Sequence, residues 1–359
     1  MNNRGLLFIP DISGFTRFVN ETEINHSRLI IQELLEILIN ANELNLEISE
    51  IEGDAILFYK FGDPPQLDAL YKQVEKMFVE FHRNIIAYNH RRYCQCAACL
   101  SAIKLTLKVI THYGEFTGYH VKNFNKLIGK DIIIAHQLLK NDIPQHEYWL
   151  VTQNLVQSPD ALKIADWMNW NTSSKQTETG SVNFQYTPLT TLKDSVPFDN
   201  PPDSGLHGMA KALSKSHVFD TDIITLFHAT GDFQYRHRWS DGVRSVETLT
   251  HYLPRVGMTC RIVTDSGSVV IRSLDYHYTP QRIQFTECDQ NQPQCTRYVL
   301  EFVEKKKTRL TIEHYIPDKV SSRFLFALGR RSTIERSIKK SMQNLTVLVN
   351  ELRIPTAVA

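Results

Sequence analysis

The sequence lacks the features that mark membrane-spanning, secreted and nucleic-acid-binding proteins. Its longest apolar runs, such as residues 6–10, are far shorter than the ~20 residues that a bilayer-spanning helix needs. Positive and negative side chains nearly cancel, with 40 Lys+Arg against 39 Asp+Glu, so no strong field attracts nucleic acid or an anionic membrane. The first residues do not resemble a secretion signal. We therefore expect a cytoplasmic protein with no transmembrane segment and no nucleic-acid partner.

Cysteine is scarce and unevenly distributed, with six residues in a chain of 359. Three cysteines lie within residues 94–99, and the other three are spread through the second half of the chain: Cys260, Cys288 and Cys295. This spacing is not that of a small secreted protein held together by a framework of disulfides.

The short cysteine cluster is a candidate metal site. Cys94, Cys96 and Cys99 place three soft thiol donors in the connection between a predicted helix and a predicted strand. Zn²⁺ prefers four ligands of this kind, and His90 or His82 just upstream would supply the fourth. Three interpretations stay open: a structural Zn²⁺ site, three ordinary, partly buried thiols and, after these two, a redox role.

Length and composition predict two domains. A chain of 359 residues exceeds the roughly 250–300 residues at which a single core stops growing, and 42% hydrophobic residues are enough to fill two cores. Residues 193–205, KDSVPFDNPPDSG, are rich in Pro, Asp and Ser, as in a linker. We therefore assign residues 1–192 to a first domain and residues 206–359 to a second.

The apolar periodicity of the first domain predicts a mixture of strands and helices. Predicted strands lie at residues 5–12, 44–50, 55–61, 103–111, 114–121, 148–152 and 184–192. Predicted helices lie at residues 22–42, 66–89 and 131–139. The order βαββαββαβ indicates an α+β fold, with a central, mostly antiparallel sheet and helices packed on one face.

Strand patterns dominate the second domain. A strand at 212–219 and a helical segment at 220–231 precede further strands at residues 243–250, 257–264, 267–277, 280–288, 294–304 and 308–316. A long amphipathic helix closes the chain at residues 321–352. We expect one curved antiparallel sheet wrapped around this last helix, with a cavity between them for a ligand.

Two aspartates stand at positions that favour a shared metal site. Asp11 lies at the end of the first strand, in the sequence PDISGFT, and Asp54 lies in a hairpin turn, in the sequence EIEGDA. If the two strands are neighbours, both carboxylates converge on one point, where two hard oxygen ligands suit Mg²⁺ or Mn²⁺. The turn at residues 13–16 adds backbone N–H groups and a hydroxyl, which favour a polyphosphate.

This ordered set of motifs resembles the class III nucleotidyl cyclase homology domain, the family of adenylate and guanylate cyclases. Residues 11–16 look like the family's D-I-x-G-F-T element, and residues 50–54 look like its hairpin ending in G-D. Residues 109–115, VITHYGE, are similar to the strand that ends in H-x-G-E, and residues 127–129 continue the match. The resemblance covers residues 5 to about 190. It implies a ferredoxin-like βαββαβ core, a purine nucleoside triphosphate bound with Mg²⁺ or Mn²⁺, and a homodimer.

The resemblance assigns roles to individual residues. Its metal positions are Asp11, Ile12 and Asp54. Its nucleotide and phosphate positions in the two turns are Ser13, Gly14, Phe15, Thr16 and Gly53. Glu50 falls where the family reads the purine, and a carboxylate there is typical of guanine-selective members. Lys126 falls at the partner purine position and leaves two alternatives open, recognition of the base or neutralisation of Glu50.

The match fails at two residues that the family uses for cyclisation. The family's V-N-x-A-x-R helix supplies an Asn that orients the ribose and an Arg that stabilises the phosphoryl charge, whereas this chain has Ile133 and Gln137 there. An arginine finger in an analogous reaction is worth on the order of 10³–10⁵ in rate. Lys130, His136 or Lys140 would have to replace the Arg, and none stands at the expected place. We therefore expect a domain that binds metal but is catalytically impaired.

The second domain resembles the START-like superfamily, which includes polyketide cyclases and lipid-transport proteins. Residues 235–243, YRHRWSDGV, lead from a short helical segment to a tryptophan and a strand, and residues 253–258 contain a P-x-x-G turn. The resemblance implies a helix-grip fold around a cavity for a lipid, isoprenoid or aromatic molecule. The candidate lining residues, each with packing in a solid core as the alternative, are Trp239, Tyr298, Leu300, Phe302, Phe324 and Leu328.

Three hypotheses for the function follow from these observations. The leading one is a signalling or regulatory protein, whose cyclase-like domain binds a nucleotide and whose START-like domain senses an apolar ligand. The second is an active nucleotidyl cyclase, guanylate before adenylate because of Glu50. The third is a carrier of a lipid or another small apolar molecule, in which the cyclase-like domain serves as a dimer scaffold.

Overall fold

The structure of the protein is a computed structural model, and its described residues are 3–22, 24–94, 96–178, 180–197 and 206–352. Of the predicted linker, residues 193–195 belong to a 3₁₀ helix, and residues 198–205 lie outside the described residues. The linker at residues 193–205 therefore stays a prediction from composition.

The chain divides into two units, and the division does not follow the sequence order throughout. The N-terminal unit comprises residues 1–87 and 101–198. The C-terminal unit comprises residues 88–100 and 199–359. The short segment 88–100, which carries the cysteine cluster, therefore belongs to the C-terminal unit.

The elements before residue 198 alternate between strands and helices. The strands are β1 Arg4–Ser13, β2 Glu47–Glu52, β3 Ala55–Phe61, β4 Thr106–Glu115, β5 Thr117–Val121, β6 Phe124–Ile128, β7 Tyr148–Thr152, β8 Asn171–Thr177 and β9 Gly180–Pro188. The helices are α1 Phe15–Glu21, α2 Ile24–Asn40, α3 Leu67–Arg91, α4 Ala97–Ser101 and α5 Lys130–Leu139. Short 3₁₀ helices occupy Ala102–Lys104, Gln153–Leu155, Pro159–Leu162 and Thr190–Ser195.

The main sheet of the N-terminal unit has the strand order β2-β3-β1-β4-β7-β9-β8. Strand β1 pairs antiparallel with both β3 and β4, and β7 joins β4 in parallel. The order β2-β3-β1-β4 is that of a ferredoxin-like βαββαβ core. The predicted α+β class and βαββαβ core are therefore confirmed by the strand pairing.

Strand β1 lies in the middle of this sheet and is buried from Gly5 to Ser13. Its sequence, GLLFIPDIS, has no polar side chain before Asp11, which is typical of a strand covered on both faces. Each large apolar side chain buried here contributes about 1.5–3 kcal/mol to folding. Asp11 is thus held in position by a well-packed strand.

Two details of the N-terminal unit differ from the prediction. Strand β4 runs without a break to Glu115, and β5 and β6 form a separate two-stranded hairpin, so the expected strands at 103–111 and 114–121 were wrongly divided. Strand β8, NTSSKQT, was not predicted, because it contains no apolar alternation that would distinguish a strand from a polar loop.

The C-terminal unit is mostly antiparallel sheet. Its strands are β10 Met209–Phe219, β11 Val243–Thr248, β12 Thr259–Thr264, β13 Gly267–Thr279, β14 Arg282–Asp289, β15 Cys295–Glu304 and β16 Lys307–Pro317. Its helices are α6 Ile223–Gly231, α7 Arg236–Trp239, α8 Val320–Leu325 and α9 Arg331–Glu351, with a 3₁₀ turn at Phe233–Tyr235 and a π-helical turn at Phe326–Arg330. Among all the described residues, no helix is both long and apolar enough to cross a bilayer.

One antiparallel sheet in the order β10-β16-β15-β14-β13-β12-β11 forms the frame of the C-terminal unit. The first strand pairs with the last, and the others follow one another as a meander. Helix α9 contributes Met342, Leu345, Leu348 and Val349 to the main core of the unit. The predicted order of elements, with an antiparallel sheet and a long final helix, is confirmed.

The segment 88–100 is anchored in the C-terminal unit by its backbone and by Tyr93. The N–H of Tyr93 donates to the carbonyl of Pro254 at 3.1 Å, and the N–H of Val256 donates to the carbonyl of Arg91 at 2.8 Å. The Tyr93 ring is buried in the core and stacks on Tyr276, with ring centroids 4.8 Å apart. These contacts give the segment a fixed place in this unit.

Cys288 and Cys295 form a disulfide between β14 and β15, where they face each other directly in the strand register. The sequence analysis treated these cysteines as scattered residues, because their alignment becomes visible only once the hairpin register is known. A single bond within a hairpin is not a disulfide framework. The cysteines of the cluster and Cys260 are buried and stand outside this disulfide.

Candidate functional site

A cleft of about 920 Å³ lies in the N-terminal unit, where the end of β1, the β2–β3 hairpin and α5 meet. Many of the predicted site residues line it. They are Asp11, Ile12, Ser13, Gly14, Phe15, Thr16, Asp54, Ile133, His136 and Gln137. The structure therefore brings these predicted residues together in one cleft.

The two aspartates are held side by side by the backbone. Asp11 on β1 faces Ala55 on β3, and the N–H of Ile12 donates to the carbonyl of Asp54 at 3.0 Å. The Asp11 side chain is buried, and Asp54 is partly exposed to the cleft. Both carboxylates line the same cleft, as the sequence predicted.

The electrostatics of the pair reflect this proximity. Burial, and then the negative charge of Asp11, raise the pKa of Asp54 to about 6. Burial also raises the pKa of Asp11, against the opposing influence of the Lys108 ammonium. The site therefore concentrates more negative charge than its surroundings stabilise, and an added cation would relieve this.

Lys108 is a charged residue of the cleft that the sequence analysis missed. It faces Asp11 across the β1–β4 pairing, and its Nζ lies 3.4 Å from Asp11 Oδ1. The same Nζ donates to the carbonyl of Leu139 at 3.2 Å. A lysine between the apolar residues Leu107 and Val109 of a strand was a visible signal, but its partner depends on long-range strand register. Lys108 partly neutralises Asp11 and adds a cation to the cleft.

The donor set at the cleft fits a hard divalent cation. Asp11 and Asp54 supply carboxylate oxygens, which Mg²⁺ and Mn²⁺ prefer, and a pKa of Asp54 raised by burial and by the Asp11 charge agrees with a site that a cation would stabilise. The Lys108 ammonium neutralises only part of the negative charge, because it is one cation beside two carboxylates. Ile12 lines the cleft next to Asp11 and bonds to the Asp54 backbone.

Two glycines shape the turns that bring the aspartates together. Gly14 has φ +90° and Gly53 has φ +61°, in the left-handed region that favours glycine. A Cβ on Gly53 would lie 3.6 Å from the ring of Phe15, so the two turns also pack closely. Ser13 and Thr16 complete the first turn and line the cleft.

The residues at the predicted purine positions are engaged with each other. The Lys126 ammonium donates to the Glu50 carboxylate, and His136 Nε2 lies 3.5 Å from the other Glu50 oxygen. His136 also lies 3.8 Å from Glu52. Of the two alternatives for Lys126, neutralisation of Glu50 is the one that this geometry bears out.

Helix α5 carries the positions at which this chain departs from the cyclase pattern. Ile133 and Gln137 both line the cleft, so these substitutions stand inside the site. Gln137 Oε1 is buried and has no hydrogen-bond partner within the described structure. Of the three residues considered as replacements for the Arg, Lys140 and His136 line the cleft, and Lys130 is not among its described lining residues.

The H-x-G-E motif anchors helix α5 to β4. His112 Nε2 lies 2.8 Å from Asp131 Oδ1, and the N–H of Glu115 donates to Asp131 Oδ2 at 2.7 Å. His112 Nδ1 pairs with the hydroxyl of Thr152 at 2.9 Å. A Cβ on Gly114 would lie 2.1 Å from Asp131 Cγ, so only glycine leaves room for this carboxylate. The motif therefore positions α5 rather than reacting itself.

The structure brings the cysteine cluster together within the C-terminal unit. Cys94, Cys96 and Cys99 are all buried, and their sulfur atoms lie within 4.8 Å of one another. His90 is not among the donors that lie this close together, so its assignment as the fourth ligand stays a prediction without support from this geometry. His82 lies in the N-terminal unit and pairs with Glu147 at 3.0 Å.

The six candidates for an apolar-ligand site are not brought together. Three are packed in the core of the C-terminal unit: Trp239, Tyr298 and Leu300. Three are exposed, at 51%, 63% and 72%: Phe302, Phe324 and Leu328. Tyr298 stacks on Phe285 and accepts a hydrogen bond from Arg236, as expected for packed core. The lining assignment is therefore corrected, because a residue in a solid core and one facing solvent cannot line one cavity.

Comparison with known proteins gives one family match and several distant likenesses. Residues 31–148 match a family described as proteins of unknown function (DUF2652). A curated relative, the uncharacterized protein Rv2561/Rv2562 of Mycobacterium tuberculosis, is 28% identical over 137 residues, which are 36% of this chain and 59% of the relative. The match thus spans about three fifths of that relative's length.

Two solved structures are similar to about half of this chain. The catalytic core of a rhodopsin-guanylyl cyclase with converted specificity, in complex with ATPαS, is 14% identical with a TM-score of 0.38, covering 52% of this chain and 96% of that one. The adenylyl cyclase CyaB from P. aeruginosa is 16% identical with a TM-score of 0.34, covering 51% and 93%.

Proposed function

We propose that the N-terminal unit is a class III cyclase-like domain that binds a purine nucleoside triphosphate with Mg²⁺ or Mn²⁺ and has lost efficient cyclisation. The proposal rests on the observation that one cleft contains both the two aspartates and the two residues that replace the family's catalytic pair. Asp11 and Asp54 line it beside the turn at residues 13–16, while Ile133 and Gln137 line it where the resembled family has Asn and Arg.

Metal and triphosphate would occupy the end of the cleft near the aspartates. Asp11 and Asp54 would hold the divalent ion, which would supply neutralisation of the triphosphate charge. The backbone N–H groups and hydroxyls of residues 13–16 would donate to phosphate oxygens. Lys108 and Lys140 line the same cleft and add positive charge for the phosphates.

The missing catalytic pair is the reason to propose binding rather than turnover. A neutral amide at Gln137 cannot stabilise developing phosphoryl charge as a guanidinium does, and Ile133 cannot hydrogen-bond a ribose. The cations Lys108 and Lys140 are already present in the cleft, but Lys108 is paired with Asp11. The expected loss, on the order of 10³–10⁵ in rate, leaves a domain that holds its nucleotide without turning it over.

Binding and turnover can be measured on the same full-length protein. We expect isothermal titration calorimetry to detect GTP and ATP binding that requires Mn²⁺, and we expect no cyclic product even at high enzyme concentration. Asp54→Ala should abolish the metal-dependent binding, whereas Asp68→Ala, which removes an exposed carboxylate on α3, should leave it intact. Failure of the wild-type protein to bind either nucleotide would refute the proposal.

An active cyclase is the competing function. A cyclic nucleotide that appears with the wild-type protein and disappears with Asp54→Ala would establish it. A homodimer, which the resemblance implies, stays a prediction that light scattering on the full chain can measure.

A further inference from the structure

The cysteine cluster is unrelated to the nucleotide cleft and calls for its own explanation. Cys94, Cys96 and Cys99 are each at most 8% exposed, and their sulfur atoms lie within 4.8 Å of one another. Zn–S bonds of about 2.3 Å in a tetrahedron place two sulfur atoms about 3.8 Å apart. The three thiols therefore lie close enough together to bind one ion after small side-chain adjustments.

A histidine of the same unit lies next to the cluster. His228 on α6 is buried, and its Nε2 lies 3.8 Å from Cys94 Sγ. This separation is close to that expected for a sulfur and a nitrogen on one tetrahedral ion, about 3.5 Å for usual Zn–S and Zn–N bond lengths. His228 is separated from Cys94 by more than a hundred residues, which is why sequence spacing did not suggest it.

The surroundings of the cluster suit an anionic metal centre. The Tyr88 hydroxyl donates to Cys99 Sγ at 2.9 Å, and the buried Arg255 guanidinium lies 4.2 Å from the centre of the Tyr88 ring. One Zn²⁺ with three thiolates and a neutral imidazole carries a net charge of −1. A buried arginine close by offsets this charge, and a hydroxyl donor to a ligand sulfur is a common outer-shell contact.

We propose that the C-terminal unit holds a structural Zn²⁺ ion on Cys94, Cys96, Cys99 and His228. Four protein ligands leave no open position, which is typical of structural rather than catalytic zinc. The ion would join the segment 88–100 to helix α6. The segment consists of the last turn of α3, a short connection and most of the five-residue helix α4, so the metal would add to the anchoring that Tyr93 provides.

Metal content of the full-length protein is the direct measurement. We expect about one Zn²⁺ per chain after purification under reducing conditions without added metal. Cys96→Ser and Cys99→Ser should each lower Zn²⁺ affinity by more than about 100-fold, and His228→Gln by about tenfold or more. Cys260→Ser removes a buried thiol on β12 outside the cluster and should retain the ion.

A second measurement does not depend on any variant folding. Wild-type protein stripped with a chelator and titrated with Co²⁺ should develop the visible absorption of a tetrahedral thiolate site, and Zn²⁺ should displace it. Asp54→Ala should behave as wild type, which separates this site from the nucleotide cleft. Absence of both Zn²⁺ and the Co²⁺ spectrum would overturn the proposal, and unchanged affinity in His228→Gln would overturn the assignment of that ligand.

Discussion

Lys126 on β6 and Glu50 on β2 form an ion pair, and Nε2 of His136 on α5 lies 3.5 Å from Oε1 of the same carboxylate. Glu50 falls at the position that would select guanine in the cyclases that this unit resembles. A carboxylate that already accepts from a lysine is a poorer acceptor for a purine, because the base would have to displace the lysine first. The ion pair therefore favours a site with little preference between purines.

Lys126→Ala tests this consequence. The substitution releases Glu50, and we expect GTP affinity to rise relative to ATP by about tenfold, since a hydrogen bond to a charged group contributes about 1.5–3 kcal/mol. Calorimetric Kd values for both nucleotides with Mn²⁺ give the ratio directly. Lys72→Ala, which removes an exposed lysine on α3, should leave the ratio unchanged. An equal change in both affinities would show that Lys126 acts through general charge.

Asp54→Asn is expected to change metal binding and stability in opposite directions. The folded state raises the pKa of Asp54 to about 6, above the ordinary value of 3.8, so ionised Asp54 destabilises the fold at higher pH. In metal-free protein we expect Asn to raise the free energy of unfolding at pH 8 by about 1 kcal/mol, after allowing for partial exposure. The gain should fade as the pH falls from about 6 towards 4, where the native aspartate is protonated.

Urea denaturation with a chelator at pH 8 and pH 4.5 measures the effect of this substitution. The same variant should lose Mn²⁺-dependent nucleotide binding. Asp68→Asn, at an exposed position, serves as the matched control. A destabilised Asp54→Asn protein at pH 8 would mean that the carboxylate is held by favourable contacts, contrary to its raised pKa.

The contact between Gly114 and Asp131 makes Gly114→Ala a strong test of the anchor for α5. A Cβ 2.1 Å from Asp131 Cγ would displace the carboxylate from His112, and we expect a loss of about 3 kcal/mol in the free energy of unfolding. Gly118→Ala on β5 meets its nearest neighbour only at 4.0 Å and should cost less than about 0.5 kcal/mol.

A double variant shows whether the cost is a clash with Asp131. Gly114→Ala with Asp131→Ala removes the obstacle, so the double variant should be destabilised by at least about 1 kcal/mol less than the two single effects added together. Thermal and urea unfolding of the wild type, the two single variants and the double variant give the free energies for this double-mutant cycle. Full additivity would mean that Gly114 is required for another reason.

Local signals were enough to predict the aspartate site. Asp11 lies near the end of the apolar strand β1, three residues before Gly14, and Asp54 follows Gly53 in the turn before the apolar strand β3. Both turns follow from local backbone preferences. The strand order needed to join them was implied by the βαββαβ sequence of elements. For this reason the sequence alone was enough to predict that Asp11, Asp54 and several of their neighbours line one cleft.

Long-range register was the information that the sequence did not provide. The pairing of Lys108 with Asp11 and the bond between Cys288 and Cys295 both depend on which residues face each other across a ladder. The membership of the segment 88–100 in the C-terminal unit rests on hydrogen bonds to residues about 160 positions away, such as Tyr93 to Pro254. No local pattern carries such information.

His314 gives the C-terminal unit a dependence on pH that can be measured. Its ring is buried on β16, stacked on Phe326 with centroids 5.5 Å apart, and its Nε2 has no hydrogen-bond partner in the described part of the chain. Burial, and then the positive charge of Arg330, lower its pKa to about 4 from the ordinary 6.5. Between these two values the unfolded chain binds a proton that the folded protein does not, so stability falls as the pH drops from about 6.5 to about 4.

We expect His314→Gln to remove this part of the acid sensitivity, because glutamine has a similar size and does not titrate. The drop in the free energy of unfolding between pH 7 and pH 4.5 should become smaller by about 2 kcal/mol, from urea denaturation at both values. His277→Gln replaces an exposed histidine on β13 and should keep the wild-type drop, because the same change is made outside the buried site. If both variants lose stability with acid as the wild-type protein does, then His314 is protonated in the folded state, and other groups cause the sensitivity.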